Sequence, residues 1–418
     1  MSSTLTMIAL LAVLLASGIP VFAAVGAAAF IGLLQAGQPI ETAAQVFVSS
    51  VGSFTLIAIP LFVFMAEYMT SSGIMQRLTN LLAAFVGHWR GGLGYVTVLA
   101  SAKFAAFSGS SAANAAALSS ALIPQMRAAG YPARFSAGVV AAGGTLGILI
   151  PPSVNMILYS AVTGLPVLQL FRAGIVPGFT LAGAFMVMVA IACRNTPVRP
   201  RVPWHERRAL LRRDGPLLLL PIVVFGAIFS GIFTVNESAI AGIAFSIVMQ
   251  AAWFRQLRWQ EIIAALVRTG KTTSMIYLII GTAAIFGHVL TLSQTAHRVA
   301  LEIAPVVHES KWLFFLLSML LLLALGTVLD VAAITYIVVP ILDLTVMTNG
   351  LDRIQFAIMF IVNMELALIH PPFGLNAFIA SAAARVPVGD VFWGALPFCV
   401  AMIAVMALVA AFPGFTRW

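Results

Sequence analysis

Apolar residues run along this chain in long blocks, separated by short polar or Gly/Pro-rich stretches. As helices, blocks such as Leu217–Phe233 and Phe392–Phe412 can cross ~30 Å of hydrocarbon. The blocks begin at Leu5–Leu15, which no basic n-region precedes, so it reads as a retained membrane segment and not a cleaved signal. Between blocks the longest polar stretch is Arg194–Asp214, which leaves no room for a soluble domain. The pattern predicts an all-α polytopic membrane protein of about nine crossings plus two re-entrant hairpins, with one further break near Pro20.

The blocks repeat. Pro151-Pro152 and Pro371-Pro372 stand 220 residues apart, and the same offset relates Gly130 to Gly350, Gly174 to Gly394 and Pro177 to Pro397. Upstream of each Pro-Pro lies a polar break, Phe107-Ser108-Gly109-Ser110-Ser111 in the first half and Gly326–Asp330 in the second. Shared order and offset predict a duplicated architecture.

Charge supplies the orientation. Arg194, Arg199, Arg201, Arg207, Arg208, Arg212 and Arg213 crowd one short loop, and Arg255, Arg258, Arg268 and Lys271 another; both belong in the cytoplasm by the positive-inside rule. With those loops inside, 92–126 starts and ends in the cytoplasm, as a hairpin whose tip is Ser108–Ser111. The hairpin 312–347 is then based outside, beyond a mixed-charge loop at His297–Lys311, and the halves are inverted. Five regions follow: scaffold spans with an interfacial helix at 1–91, a first repeat core at 92–193, a basic loop at 194–215, scaffold spans with a second interfacial helix at 216–271, and a second repeat at 272–418. The broken helices are 135–163 and 356–384. The interfacial helices are the amphipathic stretches Gly73–Gly87 and Gln256–Thr269, lying along the cytoplasmic surface.

Composition agrees and removes several functions. Hydrophobic residues make up 61% of the chain and charged ones 8%, against about 25% charged in soluble proteins. The net charge of +9 resides in membrane-flanking loops, not in an accessible folded module, which argues against nucleic acid. Cys193 and Cys399 sit at or within apolar segments, so neither a disulfide framework nor a thiolate metal site is expected. The six His residues show no ligand spacing and no Walker-type loop is present, which argues against an intramembrane transferase and against ATP drive.

The chemistry must therefore lie at the breaks. Irregular backbone survives at membrane depth only where it is buried or lines a cavity. Proline gives no amide hydrogen and frees the carbonyls behind it, so Ile148–Ile150 and Leu368–His370 should present bare oxygens. With the hydroxyls of Ser108, Ser110 and Ser111 they form a hard oxygen cage of the kind Na⁺ takes. Half-helix N-termini after each break offer positive dipole ends to an anion. Ionisable residues in the spans are functional candidates by default: Asp330 and Glu365 near the second tip and break, and Lys103. Glu67 and Glu237, near span ends, read as structural. Lys103 lies five residues before Ser108, about 7.5 Å along a helix, and should pair with a protein acid, meet the cargo or reach water.

Several stretches resemble the large membrane (M) subunit of TRAP transporters, the tripartite ATP-independent periplasmic carriers. They are Ile59-Pro60-Leu61-Phe62, Phe107 to Ala113, Gly143-Gly144-Thr145-Leu146-Gly147-Ile148-Leu149-Ile150-Pro151-Pro152-Ser153, Gly326–Asp330 with Pro340, Asn363-Met364-Glu365, and Pro371-Pro372-Phe373-Gly374-Leu375-Asn376. The resemblance covers essentially the whole chain. It implies an elevator-type carrier of the ion-transporter class in a bacterial inner membrane, with Na⁺ as coupling ion and no organic cofactor. It also implies a small membrane Q subunit, a periplasmic solute-binding P subunit, and an organic acid anion (dicarboxylate, sialic acid or keto acid) as cargo. The candidates for Na⁺ are Ser108, Gly109, Ser110, Ser111, Asn114, Gly144, Gly147, Ile150, Gly326, Asp330, Asn363, Glu365 and His370. Those for the cargo are Lys103, Ser110, Ser153, Asn155 and Asn376. The chain departs from the family pattern at His370 (usually Thr), Ala367 (commonly Gly), Asn114 (Thr) and Asn155 (Pro). His370 removes a hydroxyl ligand from a second Na⁺ site while leaving backbone carbonyls there. Another reading keeps the fold but dispenses with the binding protein, as an ion-coupled anion symporter or antiporter.

Overall fold

A computed structural model describes residues 2–194, 196 and 198–417, without the side chains of Ser2, Ser3, Ala106 and Phe107. The Phe107 side chain of the first-tip motif thus lies outside the described residues. All regular structure among the described residues is helical. The chain opens with α1 (Ser2–Ala16), α2 (Val21–Gln35), α3 (Ile40–Val51), α4 (Ala58–Ser71) and α5 (Ile74–Val86). Then come α6 (Gly92–Ser108), α7 (Ser111–Ala128), α8 (Ala133–Leu149), α9 (Val154–Thr163) and α10 (Val167–Ala192). The middle holds α11 (Trp204–Asp214), α12 (Leu220–Phe229), α13 (Val235–Val248) and α14 (Trp259–Leu292). The last stretch is α15 (Thr295–Glu309), α16 (Lys311–Gly326), α17 (Val331–Ile337), α18 (Val339–Thr348), α19 (Arg353–Ala367), α20 (Leu375–Ala384) and α21 (Val388–Ala411).

Helix boundaries keep the register of the sequence. Ser111 opens α7 and Ala128 closes it; 220 residues on, Val331 opens α17 and Thr348 closes α18. Ala133 opens α8 and Arg353 opens α19, each just after a glycine in the left-handed region, Gly130 at φ 81° and Gly350 at φ 67°. Both Pro-Pro bonds are cis. The break at the first Pro-Pro bends α8 against α9 by 42°, and α17 meets α18 at 48°, just before Pro340, whose ring cannot continue the ladder behind it.

The broken helices are the centre of the molecule. Every residue of α8 from Ser136 and of α19 from Gln355 is buried, which a helix tolerates only when packed on all sides. Around α8 stand α6, α7, α20 and α21; α19 packs on α10, α16 and α21. Glycine permits the closest of these approaches: a Cβ on Gly138 would fall 2.2 Å from the Gly394 carbonyl carbon on α21. A second group of contacts joins α14 to α2, α3 and α4, and α14 also packs on α17. Five helical runs are long and apolar enough to cross a membrane, or seven if each bent pair counts as one span, among the described residues.

Two expected segments differ. Gln256–Thr269 is not a separate surface helix, because Trp259–Leu292 runs on as a single helix of 34 residues; no proline interrupts it and Arg268 is tied to α4 (below). His297–Lys311 is not an open loop but contains α15, whose buried Ala300 and Val307 sit two turns apart on one face. Charge had masked that amphipathic spacing. The break near Pro20 is present, between α1 and α2.

Candidate functional site

A cavity of about 310 Å³ lies where the breaks converge. The first turns of four half-helices line it: Ser111–Ala113 of α7, Val154 and Asn155 of α9, Val331 and Ala332 of α17, and Leu375 of α20. Three of these begin with a side-chain cap that serves only part of the free N–H set. Ser110 Oγ accepts from Ala113 N at 3.4 Å, Ser153 Oγ from Met156 N at 3.3 Å and Asp330 Oδ2 from Ala332 N at 2.9 Å. Uncapped amides and aligned peptide dipoles make such termini positive. Ser108, Gly109, Ser110, Ser111, Asn155 and Asp330, all singled out from sequence, border this space.

The first tip is fastened to the first break. Val154 N donates to Gly109 O at 3.2 Å, and Gly109 sits at φ 57°, where a Cβ would come within 3.1 Å of Pro152 O. The second break is closed on itself instead: Asn376 N donates to Leu368 O at 3.0 Å, so the Leu368 carbonyl, expected to be bare, is taken. Beneath the tip, Ser111 joins both halves of the chain: its hydroxyl donates to Glu365 Oε2 at 2.9 Å and accepts from Asn376 Nδ2 at 2.7 Å. Asn114 Nδ2 donates to Ser101 Oγ at 3.1 Å and to the Gly144 carbonyl at 3.4 Å, and Ser101 bonds the Gly143 carbonyl. Gly144 and Gly147 let these amides approach α8, since a Cβ there would lie 2.9 Å from Asn376 Nδ2 or 3.1 Å from Asn114 Nδ2.

Donors in this cluster are satisfied, while acceptors are left over. Asn114 Oδ1, Glu365 Oε1 and Asn376 Oδ1 are buried without a hydrogen-bond partner. An unmet buried acceptor costs about 1–3 kcal/mol, so each of the three is costly unless a further group such as a cation takes it. Oxygen is also the donor set that a hard cation prefers.

Other predicted residues lie elsewhere. Asn363 donates to Met319 O at 2.9 Å and holds α16 to α19; Gly326 packs on Ala367. His370 has a buried, unpartnered Nδ1 beside the second Pro-Pro. Lys103 and Ile150 face a second, apolar cavity of about 630 Å³ between α6, α10 and α12, away from the half-helix termini. No carboxylate lies within ion-pair distance of Lys103 among the described residues.

Residues 8–415 match the family model described as "Tripartite ATP-independent periplasmic transporter, DctM component". The chain belongs to the TRAP transporter large-subunit family. This TRAP permease is 40% identical to the C4-dicarboxylate TRAP transporter large permease protein DctM of Pseudomonas aeruginosa, over 86% of this chain and 84% of that protein. It is 33% identical to the sialic acid TRAP transporter large permease protein SiaM of Vibrio cholerae (96% and 95% covered). To the 2,3-diketo-L-gulonate TRAP transporter large permease protein YiaN of Escherichia coli it is 31% identical (90% and 88%). These relatives are named as transport permeases, not enzymes. Among solved structures, the YdaH transporter of Alcanivorax borkumensis superposes with a TM-score of 0.64 at 15% identity, over 90% of this chain and 88% of that one, which shows a shared fold.

Glu67, Thr272 and Ile276 also line the first cavity. Sequence reasoning placed Glu67 as structural and passed over the other two. The available signal was an acid inside the apolar run of α4 and a hydroxyl four residues before Ile276 on α14.

Proposed function

We propose that this permease carries an organic acid anion into a bacterial cell across the inner membrane, coupled to Na⁺. A periplasmic binding protein delivers the anion, and a small membrane subunit completes the carrier. The observation that carries this reading is the convergence of four half-helix N-termini on one cavity, a setting that favours a carboxylate without a dedicated metal or cofactor. We read the orphaned acceptors of Asn114, Glu365 and Asn376 as oxygens that a Na⁺ would take, two of them on side chains that bond the Ser111 hydroxyl. Cation and anion then lie close enough to favour each other's binding, which is the physical content of symport. The two halves are inverted repeats, and the hairpins α6–α7 and α16–α18 move with their broken helices as an elevator against the α2–α4 and α14 layer.

The test is uptake by proteoliposomes containing the chain, its small membrane partner and the binding protein. Succinate, N-acetylneuraminate and 2,3-diketogulonate serve as probe anions, chosen from the relatives' names. Uptake of at least one should require a Na⁺ gradient and stop when choline or Li⁺ replaces Na⁺. Equal transport on a proton gradient alone, without Na⁺, would overturn the coupling.

A further inference from the structure

The charged residues lining the cavity, among those described, are Glu67 and Asp330, both acids. Asp330 is committed to capping α17. A carboxylate cargo therefore meets dipole ends inside but no cationic side chain on the lining. A guanidinium bonded to the lining is that of Arg268. It stands four residues before Thr272 and eight before Ile276, both cavity-lining, and that spacing puts all three on one face of α14. Its Nε donates to Glu67 Oε2 at 2.7 Å, so the guanidinium lies one hydrogen bond behind the cavity wall.

We propose that Arg268 is the carrier's anion handle at the cavity mouth, exchanged between Glu67 and a carboxylate of the cargo. The idea rests on the organic-anion reading above and adds the residues that receive the cargo at the basic-loop face. Arg268 Nε is the one guanidinium nitrogen bonded to Glu67, at a single oxygen, which leaves the planar fork free to grip a second carboxylate. Side-chain exposure is 45% for Arg268 and 23% for Glu67, so the guanidinium is only partly covered by its partner. One carboxylate can thus replace another without leaving the guanidinium bare. Glu67 keeps the arginine in place when no cargo is present, and takes it back when cargo leaves.

The experiment measures counterflow in the same proteoliposomes, with whichever probe anion is transported, varying its concentration at the face that carries the basic loops. Arg268→Met should raise the half-saturating concentration about tenfold, the scale of one lost charge-assisted contact, with the Na⁺ half-saturation unmoved. Arg268→Lys should lie between. Glu67→Gln should act in the opposite direction and lower the half-saturating concentration, because it frees the guanidinium. A merely structural ion pair predicts the contrary pattern: both single changes impair transport alike and the double variant recovers. That pattern, or unaltered half-saturation in Arg268→Met and Arg268→Lys with wild-type uptake intact, overturns the proposal. Absence of Na⁺-driven uptake in the wild type overturns the underlying transport reading instead.

Discussion

Ser111→Ala is the sharpest perturbation of the candidate ion site. The hydroxyl makes two bonds at once, donating to Glu365 Oε2 at 2.9 Å and accepting from Asn376 Nδ2 at 2.7 Å. Without it, Asn376 Nδ2 keeps only the Ala141 carbonyl at 3.4 Å, and Glu365 Oε2 joins Oε1 in having no partner. A hydrogen bond to a carboxylate contributes about 1.5–3 kcal/mol and a neutral one about 1 kcal/mol. If roughly 2 kcal/mol of that total is expressed in Na⁺ binding, affinity falls about 30-fold. At a Na⁺ concentration one hundred times the wild-type Kd, ligand linkage stabilises the wild type by about 2.7 kcal/mol and the variant by about 0.9 kcal/mol. Thermal unfolding of the purified chain in detergent, in NaCl against choline chloride at equal ionic strength, reads this directly. The Na⁺-induced rise in Tm should shrink to about a third. A variant that unfolds earlier in both salts yet keeps the full Na⁺ increment would refute the reasoning, since Ser111 would then be a packing residue remote from the ion.

Three further changes probe neighbouring features. Ser110→Leu places a bulky apolar group on the cavity wall and removes the cap of α7; uptake should be lost while membrane insertion, read by protease accessibility in spheroplasts, persists. Lys103→Met should leave cargo half-saturation unaltered, because Lys103 faces the apolar cavity between α6, α10 and α12; a rise in half-saturation would place the cargo there instead. Gly138→Ala forces a Cβ into the Gly394 backbone at 2.2 Å and should destabilise by about 1–3 kcal/mol, visible as a lower Tm in either salt.

Local covalent constraints made much of this architecture legible. Each Pro-Pro removes two amide hydrogens wherever it occurs, so the ends of α8 and α19 follow from the chain itself. Ser110 and Asp330 stand one repeat apart and both begin a half-helix in the structure. Side-chain direction was not legible in the same way. Lys103 and Ser101 share α6, yet Ser101 bonds the Gly143 carbonyl within the site and Lys103 faces the other cavity. That difference depends on the rotation of α6 against α8 and α12, which spacing alone does not set. Glu67 and Arg268 are 201 residues apart, and nothing local to either reports the other. Where charge and helical periodicity competed, as in α15, the charges hid a helix whose buried positions are Ala300 and Val307.

The bond from Val154 N to Gly109 O gives this carrier an internal clock. Proline at 151 and 152 leaves no exchangeable amide at the break, so Ser153 and Val154 are the first that deuterium can enter beyond it. The Val154 amide is shielded for as long as the first hairpin tip rests on the break, and exposed when the two part. Its exchange rate therefore times the separation of tip from break, in a chain where no other label has been introduced. Rates compared with and without Na⁺ would tell whether the ion closes that contact or leaves it free.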